Sequence, residues 1–231
     1  MHWPAWVLCH SIRTVLKAIL WDNDGVLVDT EHLYFRACRE ALARIDIGLS
    51  EARFIDSFLR RGEGLRALME ERGLGEGLFV ETQRWRNARH AELLSEGVAP
   101  IEGVVATLDA LRGRVRMGIV TSSRRTHFEI VHAKTGLLPY FDFVLVREDY
   151  GEPKPHPEPY LQAMRRNGLR AEQCLVVEDS PRGLQAARAA GVRCAVIPRG
   201  LTQSLDFSGA FRHLQHAGEV LDIVDELSSE G

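Results

Sequence analysis

Between residues 103 and 197, short apolar runs alternate with segments of helical periodicity, and this alternation constrains the fold more than any other feature of the sequence. The apolar runs have the length and composition of buried strands. Strands separated by helices of about ten residues form right-handed βαβ units, and such units build a parallel sheet. We predict strands over 115–120, 141–146, 174–177 and 192–197, and helices over 103–112, 125–135, 157–167 and 181–190.

An earlier apolar run, Val15 to Trp21, predicts the first strand of this sheet. Residues 31–95 contain only helical segments, the first of which begins at Glu31 with Thr30 as its predicted N-cap. Because this helical stretch leaves the sheet after the first strand and returns to the second, it predicts an inserted helical cap. A final helix is predicted over 218–227.

The predicted fold class is therefore α/β, with a Rossmann-like, doubly wound parallel sheet as the core and an inserted α-helical cap domain. The length of 231 residues is ample for an apolar core that needs no disulfide or metal to hold it together. The predicted domains are a core over 15–30 and 96–231, a cap over 31–95 and an N-terminal extension over 1–14.

Composition excludes several classes of partner. A net charge of −3, from 29 basic and 32 acidic residues, provides no global field that would attract nucleic acid or anionic membranes. No apolar run approaches the roughly 18–20 residues of a spanning helix, and the start of the chain lacks the features of a signal peptide. The four cysteines have no CxxC spacing, as expected of thiols in a reducing cytosol. We therefore predict a cytoplasmic protein that binds neither nucleic acid nor membrane.

Polar residues follow four of the predicted strands, at the edge where open parallel sheets bind their ligands. These residues are Asp22 and Asp24 after the first strand, Thr121, Ser122 and Ser123 after the second, Lys154 beyond the third, and Glu178 and Asp179 after the fourth. Carboxylates held this close repel one another unless a cation lies among them, and Mg²⁺ is the hard divalent ion that suits oxygen ligands. Mg²⁺ beside a free carboxylate, an ammonium and hydroxyl donors is typical of a phosphate site.

Each of these features has an ordinary structural explanation when it is taken alone. Asp-x-Asp-Gly is a common turn, Thr-Ser-Ser can cap a helix, Lys154 can be a surface lysine, and Glu178-Asp179 can be a capping segment that favours the helix dipole. The functional interpretation depends on their order, because all four features fall at strand ends. Lys154 is also one of only three lysines beside 26 arginines, which favours a position that requires an ammonium.

These segments together resemble the four motifs of the haloacid dehalogenase (HAD) superfamily of phosphohydrolases. The segments are WDNDGVLVDTE, VTSS, KPHPEPY and VVEDSPRGLQAARAAG, in the order of the family's motifs. The similarity covers roughly residues 15–200, and it is strong in the core and weak in the cap. It is best for the branch with a helical cap after the first strand, which includes β-phosphoglucomutase and many sugar-phosphate phosphatases.

The resemblance implies a role for each core position. Asp22 resembles the nucleophile that becomes an aspartyl phosphate, and Asp24 resembles the acid and base that serves the leaving oxygen and then water. Thr121, with Ser122 beside it, resembles the hydroxyl that holds a phosphoryl oxygen. Lys154 resembles the lysine that neutralises the nucleophile and the phosphate.

The resemblance also implies a Mg²⁺ site. Asp179 resembles the Mg²⁺ ligand of the fourth motif, and Glu178 resembles its neighbour, which often acts through water. The carboxylate of Asp22 and the backbone carbonyl of Asp24 complete the implied protein ligands. Asn23 stands where the family usually has an apolar residue, and only its backbone is expected to take part.

Three cap positions resemble substrate-binding positions of the family. Arg86 and Asn87 resemble a Lys-Asn cap pair that touches substrate phosphate in the mutase, and Arg61 lies in a segment that resembles the loop that reads substrate. An arginine is suited to a bidentate grip on a carboxylate or a second phosphate. Where β-phosphoglucomutase-like members have a cap histidine, this chain has Tyr34, which favours a phosphatase over a mutase.

The implied function is a Mg²⁺-dependent phosphatase that hydrolyses a small phosphorylated metabolite, such as a sugar phosphate, through an aspartyl-phosphate intermediate. The alternative of the same fold is a phosphomutase of the β-phosphoglucomutase type. Haloacid dehalogenation is disfavoured by Asp24 and Asp179, because that chemistry does not use the metal site. A receiver-type binding module is disfavoured by the helical insert, which such modules lack. The expected state is a monomer or a weak homodimer.

Overall fold

The computed structural model of the protein describes residues 15–229, so the predicted N-terminal extension, residues 1–14, lies outside the described residues. The strands are β1 (Ala18–Trp21), β2 (Arg116–Val120), β3 (Phe143–Leu145), β4 (Cys174–Glu178), β5 (Arg193–Val196) and β6 (Arg212–His213). They form one parallel sheet in the order β3-β2-β1-β4-β5-β6. The first strand therefore lies between two others that also carry predicted site residues at their carboxyl ends.

Helices flank the sheet and fill the segment between β1 and β2. The α-helices are α1 (Glu31–Ala43), α2 (Glu51–Phe54), α3 (Gly64–Glu70), α4 (Glu76–Ser95), α5 (Val104–Leu111), α6 (Arg125–Thr135), α7 (Glu158–Asn167), α8 (Pro181–Ala189) and α9 (Val220–Ser229). A π-helical segment, Ile55–Arg60, extends α2. Short 3₁₀ turns occupy Leu138–Tyr140, Arg147–Asp149, Ala171–Gln173, Gly200–Thr202 and Ala217–Glu219.

Helices cover both faces of the sheet, which is why β1 is buried along its whole length. Ile19 and Trp21 pack in an apolar cluster with residues of α5, α6 and α9. Ala18 and Leu20 point to the opposite face and pack with residues of α7 and α8. Successive side chains of a strand alternate between faces, so an apolar run with helices on both sides is the expected sequence for such a strand. The predicted fold class is confirmed.

The helical insert, residues 31–95, has its own apolar cluster, in which Phe54, Phe58 and Leu68 are buried. Its two ends lie side by side on the core. The Ile101 N–H donates to the Leu27 carbonyl at 2.9 Å, and Val28 forms an isolated antiparallel bridge with Pro100. The chain therefore enters and leaves the insert at one place.

Two details differ from the sequence-based expectation. Thr30 lies at the N-cap position of α1, as predicted, but its side chain does not cap the helix. The Thr30 hydroxyl donates to Asp24 instead. The edge strand β6 was not predicted, because both of its residues are exposed and carry no apolar pattern. By contrast, Ser180 does cap α8 with its side chain, because its hydroxyl accepts from the Gly183 N–H at 3.0 Å. Among the described residues, no helix is both long and apolar enough to cross a membrane.

Candidate active site

The carboxyl ends of β1, β2 and β4 lie next to one another and open into a cavity of about 390 Å³. In the parallel register, Trp21 pairs with Ile119 on one side and with Val177 on the other. The residues that follow these strands are therefore neighbours. Of the predicted core residues, Asp22, Asp24, Thr121, Ser122, Lys154 and Asp179 line the cavity.

Lys154 is buried at the bottom of this site and has an acceptor for each of its three ammonium protons. Its Nζ donates to Asp22 Oδ1 at 2.7 Å, to Glu178 Oε1 at 2.6 Å and to the Val120 carbonyl at 2.9 Å. Burial acts to lower the pKa of Lys154, but the carboxylates of Asp22 and Glu178 raise it above its ordinary value. The lysine therefore stays charged and links three strand ends.

The Asp22 carboxylate is engaged on one side only. Its Oδ1 accepts from Lys154, whereas no hydrogen bond to its Oδ2 is found among residues 15–229. Burial raises the pKa of the Asp22 carboxyl to about 7, opposed by the Lys154 ammonium and reinforced by the negative charges of Glu178 and Asp24. The site thus holds more negative charge than one lysine neutralises.

Glu178 is fully buried, and both of its oxygens are engaged. Oε1 accepts from Lys154 and from the Tyr160 hydroxyl at 2.7 Å, while Oε2 accepts from the Ser180 hydroxyl at 2.9 Å and from two backbone N–H groups. A Cβ on Gly183 would lie 1.8 Å from the Glu178 carboxyl carbon, so only glycine fits there. Glu178 therefore anchors Lys154 and the start of α8.

Hydroxyl groups hold the Asp24 carboxylate. Oδ1 accepts from Thr30, and Oδ2 accepts from Ser123 Oγ at 2.7 Å and from Thr121 Oγ1 at 3.3 Å. Hydroxyl donors fix the direction of a carboxylate without neutralising its charge. The orientation of the Asp24 carboxylate therefore depends on these hydroxyl groups and not on the hydrogen bond between Asp22 and Lys154.

A group of three carboxylates could hold a metal ion. One oxygen from each of Asp22, Glu178 and Asp179 lies within 4.8 Å of the others. Gly25 has a φ of +82°, and a Cβ there would lie 2.0 Å from Asp179 Oδ2, so the glycine gives this carboxylate its space. Burial and the neighbouring acids raise the pKa of Asp179 well above its ordinary value. A hard divalent cation among these oxygens would relieve their repulsion. The carboxylate of Asp24 is not part of this group.

The predicted cap residues occupy different surroundings. Arg86 and Asn87 line the cavity, and the Arg86 guanidinium donates to the Tyr34 hydroxyl. Arg61 is not among the cavity-lining residues; it pairs within the insert, with Asp56 at 2.7 Å and Glu63 at 2.8 Å. The structure thus brings one of the two predicted arginines to the site and not the other.

Asn23, the unusual residue between the two aspartates, points away from the cavity. Its Oδ1 accepts from His132 Nε2 at 2.8 Å, and His132 Nδ1 in turn accepts from the Thr135 hydroxyl at 2.9 Å. Because an amide oxygen can only accept, the proton of this imidazole is assigned to Nε2. The hydrogen bond between Asn23 and His132 joins the loop after β1 to helix α6.

Sequence reasoning missed several cavity residues. They are Glu31, His90, Arg124, His127, Arg147 and Arg182. Glu31 begins α1, and burial together with the charges of Asp24 and Asp22 raises its pKa to about 8. His90 lies one helical turn after Arg86, and that i, i+4 spacing is the sequence signal that could have identified it. The remaining four residues lie in loops or in the first turns of helices, where hydrophobic periodicity does not predict which way a side chain points. They are Arg124, His127, Arg147 and Arg182.

Comparison with known proteins gives the same family as the motifs. Residues 19–197 match the family described as haloacid dehalogenase-like hydrolase. Protein CbbY of Rhodobacter capsulatus is 30% identical over 206 residues, which cover 84% of this chain and 91% of that protein. The phosphorylated carbohydrates phosphatase of Thermotoga maritima is 31% identical over 192 residues, which cover 77% of this chain and 82% of that protein.

A solved structure supports the same relationship in three dimensions. The crystal structure of CbbY from Rhodobacter sphaeroides in complex with phosphate superposes with a TM-score of 0.75 at 27% identity. The match covers 91% of this chain and 99% of that chain. Core and helical insert are therefore both represented in the related fold.

Proposed function

Because this chain belongs to the haloacid dehalogenase-like hydrolases and is a phosphatase of that family, we propose that it hydrolyses a small phosphorylated metabolite in a Mg²⁺-dependent reaction. A sugar phosphate or a similar phosphomonoester is the proposed substrate. The similarity to the phosphorylated carbohydrates phosphatase of Thermotoga maritima supports this substrate class. The single observation that carries the mechanism is the hydrogen bond from Lys154 to Oδ1 of the Asp22 carboxylate, which leaves Oδ2 without a hydrogen bond in the described structure, beside the carboxylate of Asp179.

Asp22 is the proposed nucleophile. Its unengaged Oδ2 would form a bond to phosphorus while the bond between phosphorus and the ester oxygen breaks. Lys154 holds Oδ1, keeps the carboxylate oriented and places a positive charge next to the phosphoryl group. Thr121 and Ser122, which follow β2, are the proposed hydroxyl donors to the phosphoryl oxygens, with the Thr121 hydroxyl turning from Asp24 to the phosphoryl group when substrate is bound.

Asp24 is the proposed acid and base. In its protonated form it would give its proton to the departing ester oxygen. It would then take a proton from the water that attacks phosphorus, which breaks the bond to Asp22 and releases inorganic phosphate. Its hydroxyl partners Thr30, Thr121 and Ser123 support this role, because they direct the carboxyl group without a permanent counter-charge.

The carboxylates of Asp22 and Asp179 are the proposed side-chain ligands of Mg²⁺, with the backbone carbonyl of Asp24 as a further ligand. Bound Mg²⁺ would supply electrostatic stabilisation of the phosphoryl oxygens. The donor set fits, because it consists of oxygen atoms whose combined negative charge exceeds that of one lysine. Glu178, whose oxygens are both hydrogen-bonded, is proposed to hold Lys154 in place rather than to contact substrate.

We propose that the insert, residues 31–95, is a cap domain and that residues 15–30 and 96–231 form the core. The separate apolar cluster of the insert and the single place where it joins the core support this division. Cap residues such as Arg86 and Asn87 would then lie over the core carboxylates and exclude bulk water. Arg61, paired with two acids, is no longer proposed to contact substrate.

We also propose that the protein acts in the cytoplasm on a diffusible metabolite. The free, buried thiols of Cys38, Cys174 and Cys194 support a reducing environment. The mutase alternative is not favoured, because Tyr34, whose hydroxyl accepts from Arg86, occupies the position of the mutase histidine.

The test is release of inorganic phosphate from fructose 1-phosphate and from p-nitrophenyl phosphate in millimolar Mg²⁺. Turnover is expected with the wild type and is expected to be abolished by Asp22→Asn. Rapid acid quench should trap an acyl phosphate in the wild type that is missing in this variant. Phosphate release by Asp22→Asn at more than a few per cent of the wild-type rate would assign another nucleophile. Isomer formation without free phosphate would establish a mutase.

A further inference from the structure

The core helix α6 and the residues just before it hold the loop after β1 at two points. Before the helix begins, Ser123 Oγ donates to Asp24 Oδ2 at 2.7 Å. Near the end of the helix, His132 Nε2 donates to Asn23 Oδ1 at 2.8 Å. Asn23 lies between the proposed nucleophile, Asp22, and the proposed acid and base, Asp24. A side chain of α6 therefore reaches the residue that joins the two reacting carboxylates in the chain.

The hydrogen bond from His132 to Asn23 is the last of a chain in which each donor has a fixed direction. The Leu137 N–H donates to Thr135 Oγ1 at 3.4 Å, and the Thr135 hydroxyl donates to His132 Nδ1 at 2.9 Å. Because Nδ1 accepts, the ring proton of a neutral His132 is assigned to Nε2, which faces Asn23. The end of α6 therefore presents one oriented donor to the loop after β1.

This polar pair is retained at a cost in stability. Asn23 is 0% exposed and His132 is 5% exposed, and the His132 ring packs against the ring of Phe128 with 4.3 Å between centroids. The second polar atom of the amide, Asn23 Nδ2, is buried with no hydrogen-bond partner in the described structure. An unpaired buried donor destabilises a fold, and an apolar side chain at position 23 would not leave one. A costly amide beside the reacting groups indicates that its oxygen has a function.

The backbone around Asn23 shows what this side chain holds in place. The Asn23 carbonyl accepts from the three N–H groups of residues 26–28, at 2.8, 3.1 and 3.3 Å. The Asp22 N–H donates to the Val177 carbonyl of β4 at 2.9 Å. The side chain of Asn23 adds a bond in a third direction, to α6. Because peptide units are rigid planes, a shift of Asn23 would move the Asp22 carboxylate and the Asp24 carbonyl together.

We propose that Asn23 and His132 are positioning residues for phosphoryl transfer, and that the hydrogen bond between them holds the segment that carries both reacting aspartates. The proposal rests on the proposed function, and it gives the side chain of Asn23 a role beyond that expected of its backbone. Neither residue is among those that line the cavity, so neither contacts substrate. A misplacement of reacting groups by about 1 Å can lower a rate about 10²-fold. The bond therefore acts on kcat and on the Mg²⁺ site, and KM is unaffected.

A double-mutant cycle tests this hydrogen bond. Asn23→Leu and His132→Leu each replace one partner by an apolar side chain. Each is expected to lower kcat for p-nitrophenyl phosphate at least about tenfold at saturating Mg²⁺, with KM within about twofold of the wild type. The double variant should lose no more than the larger single loss, because both substitutions act through one bond. His132→Gln, whose carboxamide N–H replaces that of Nε2, should keep kcat within about threefold of the wild type.

Val131→Ala is the matched control for loss of packing on the same helix. Val131 is 3% exposed, so its truncation should lower Tm by leaving a cavity, whereas kcat should equal that of the wild type. If kcat falls in step with Tm in every variant, Val131→Ala included, Asn23 and His132 have a structural role and the proposal is overturned. Additive losses in the cycle would also overturn it, as would a His132→Gln variant as slow as His132→Leu. If Asn23→Leu does not fold, the comparison of His132→Leu with His132→Gln decides.

Calorimetric titration with Mg²⁺ provides a readout that needs no turnover. Asn23→Leu is expected to raise the Mg²⁺ dissociation constant at least about tenfold, because the adjacent carbonyl of Asp24 is a proposed ligand. His132→Gln and Val131→Ala should bind Mg²⁺ as the wild type does. If the wild type releases no phosphate, the proposed function fails, and the Mg²⁺ affinities alone decide the positioning role. If the wild type turns over, an unchanged kcat in Asn23→Leu and His132→Leu overturns the positioning role alone.

Discussion

The Thr30 hydroxyl donates a hydrogen bond to Oδ1 of Asp24, the proposed acid and base. Thr30 is the last residue before the helical insert. Thr30 also precedes α1, and its backbone carbonyl accepts from the Leu33 and Tyr34 N–H groups. The entrance of the insert and the orientation of Asp24 therefore depend on the same residue. This coupling makes Thr30 a direct test of the proposed proton transfer.

We predict that Thr30→Val lowers kcat about tenfold on a sugar phosphate, because it removes one charged hydrogen bond that orients Asp24. The loss should be smaller on p-nitrophenyl phosphate, whose leaving group needs little protonation. Thr30→Ser keeps the hydroxyl and serves as the matched control. Steady-state kinetics on both substrates provide the measurement, and equal losses on the two would contradict the assignment of Asp24 as the acid.

We predict that Lys154→Arg lowers kcat at least about 10²-fold, nearly as much as Lys154→Met. The three acceptors around Nζ surround a compact ammonium, and a planar guanidinium cannot place its protons in the same three directions. Lys134→Arg is the control, because Lys134 is exposed on α6. Near-normal turnover of p-nitrophenyl phosphate by Lys154→Arg would show that charge alone suffices at this position.

Removal of divalent metal is predicted to abolish turnover. EDTA should reduce phosphate release to background, and added Mg²⁺ should restore it. Asp179→Asn should raise the Mg²⁺ concentration for half-maximal activity at least about tenfold, because a carboxylate of the acidic cluster is lost. Calorimetric titration with Mg²⁺ gives a second readout, and Asp222→Asn, on the exposed side of α9, is the control. Unchanged Mg²⁺ affinity in Asp179→Asn would rule out that residue as a ligand.

Gly62 and Gly64 allow a test of how the insert fits the core. Both have positive φ, +71° and +66°, but only a Cβ on Gly62 would approach the core helix α8, at 2.7 Å from Arg182 Nε. Gly64→Ala meets nothing closer than 3.9 Å. Both alanine variants should lower Tm through backbone strain, whereas only Gly62→Ala should also lower kcat/KM. Equal kcat/KM in the two variants would show that this contact does not position the insert.

The contribution of His132 to stability is predicted to fall as the solution becomes acidic, while the raised pKa values of Asp22 and Glu31 act in the opposite direction. Burial lowers the pKa of His132 to about 4, against the raising effect of Asp24, whereas the unfolded chain keeps the ordinary value of 6.5. Between these two pH values the unfolded state binds more protons at this histidine than the folded state does. The contribution of His132 to the free energy of unfolding therefore decreases by about 2 kcal/mol when the pH is lowered from 7 to 5. Burial also lowers the pKa of His90 to about 4, so His90 acts in the same direction.

Urea denaturation at pH 7 and pH 5 measures this effect. The stability of His132→Gln relative to the wild type should be higher at pH 5 than at pH 7, because the ring whose protonation favours the unfolded state is gone. His213→Gln, which changes an exposed histidine, should behave as the wild type does. If His132→Gln has the same pH dependence of stability as the wild type, then His132 is protonated to the same extent in the folded and the unfolded protein.

The sequence by itself determined the sheet and the order of the site residues. A strand covered by helices on both faces must be apolar at every position, and β1 shows this directly in the run before Asp22. Parallel strands place their carboxyl ends at one edge, so the predicted convergence of Asp22, Thr121 and Asp179 needed no knowledge of packing.

Only the tertiary structure decided which cap residues reach that edge. Arg61 and Arg86 are the same residue type in the same insert, yet one pairs with Asp56 and the other lines the cavity. Arg86 lies on α4, which packs against the core helix α6, whereas Arg61 follows the π-helical segment Ile55–Arg60, which packs against α8; both contacts join residues far apart in the chain. The Thr30 hydroxyl likewise bonds to Asp24 rather than to α1, because that carboxylate lies within its reach only after folding. Local patterns fix which elements form, whereas the direction of a side chain between two packed elements depends on both of them.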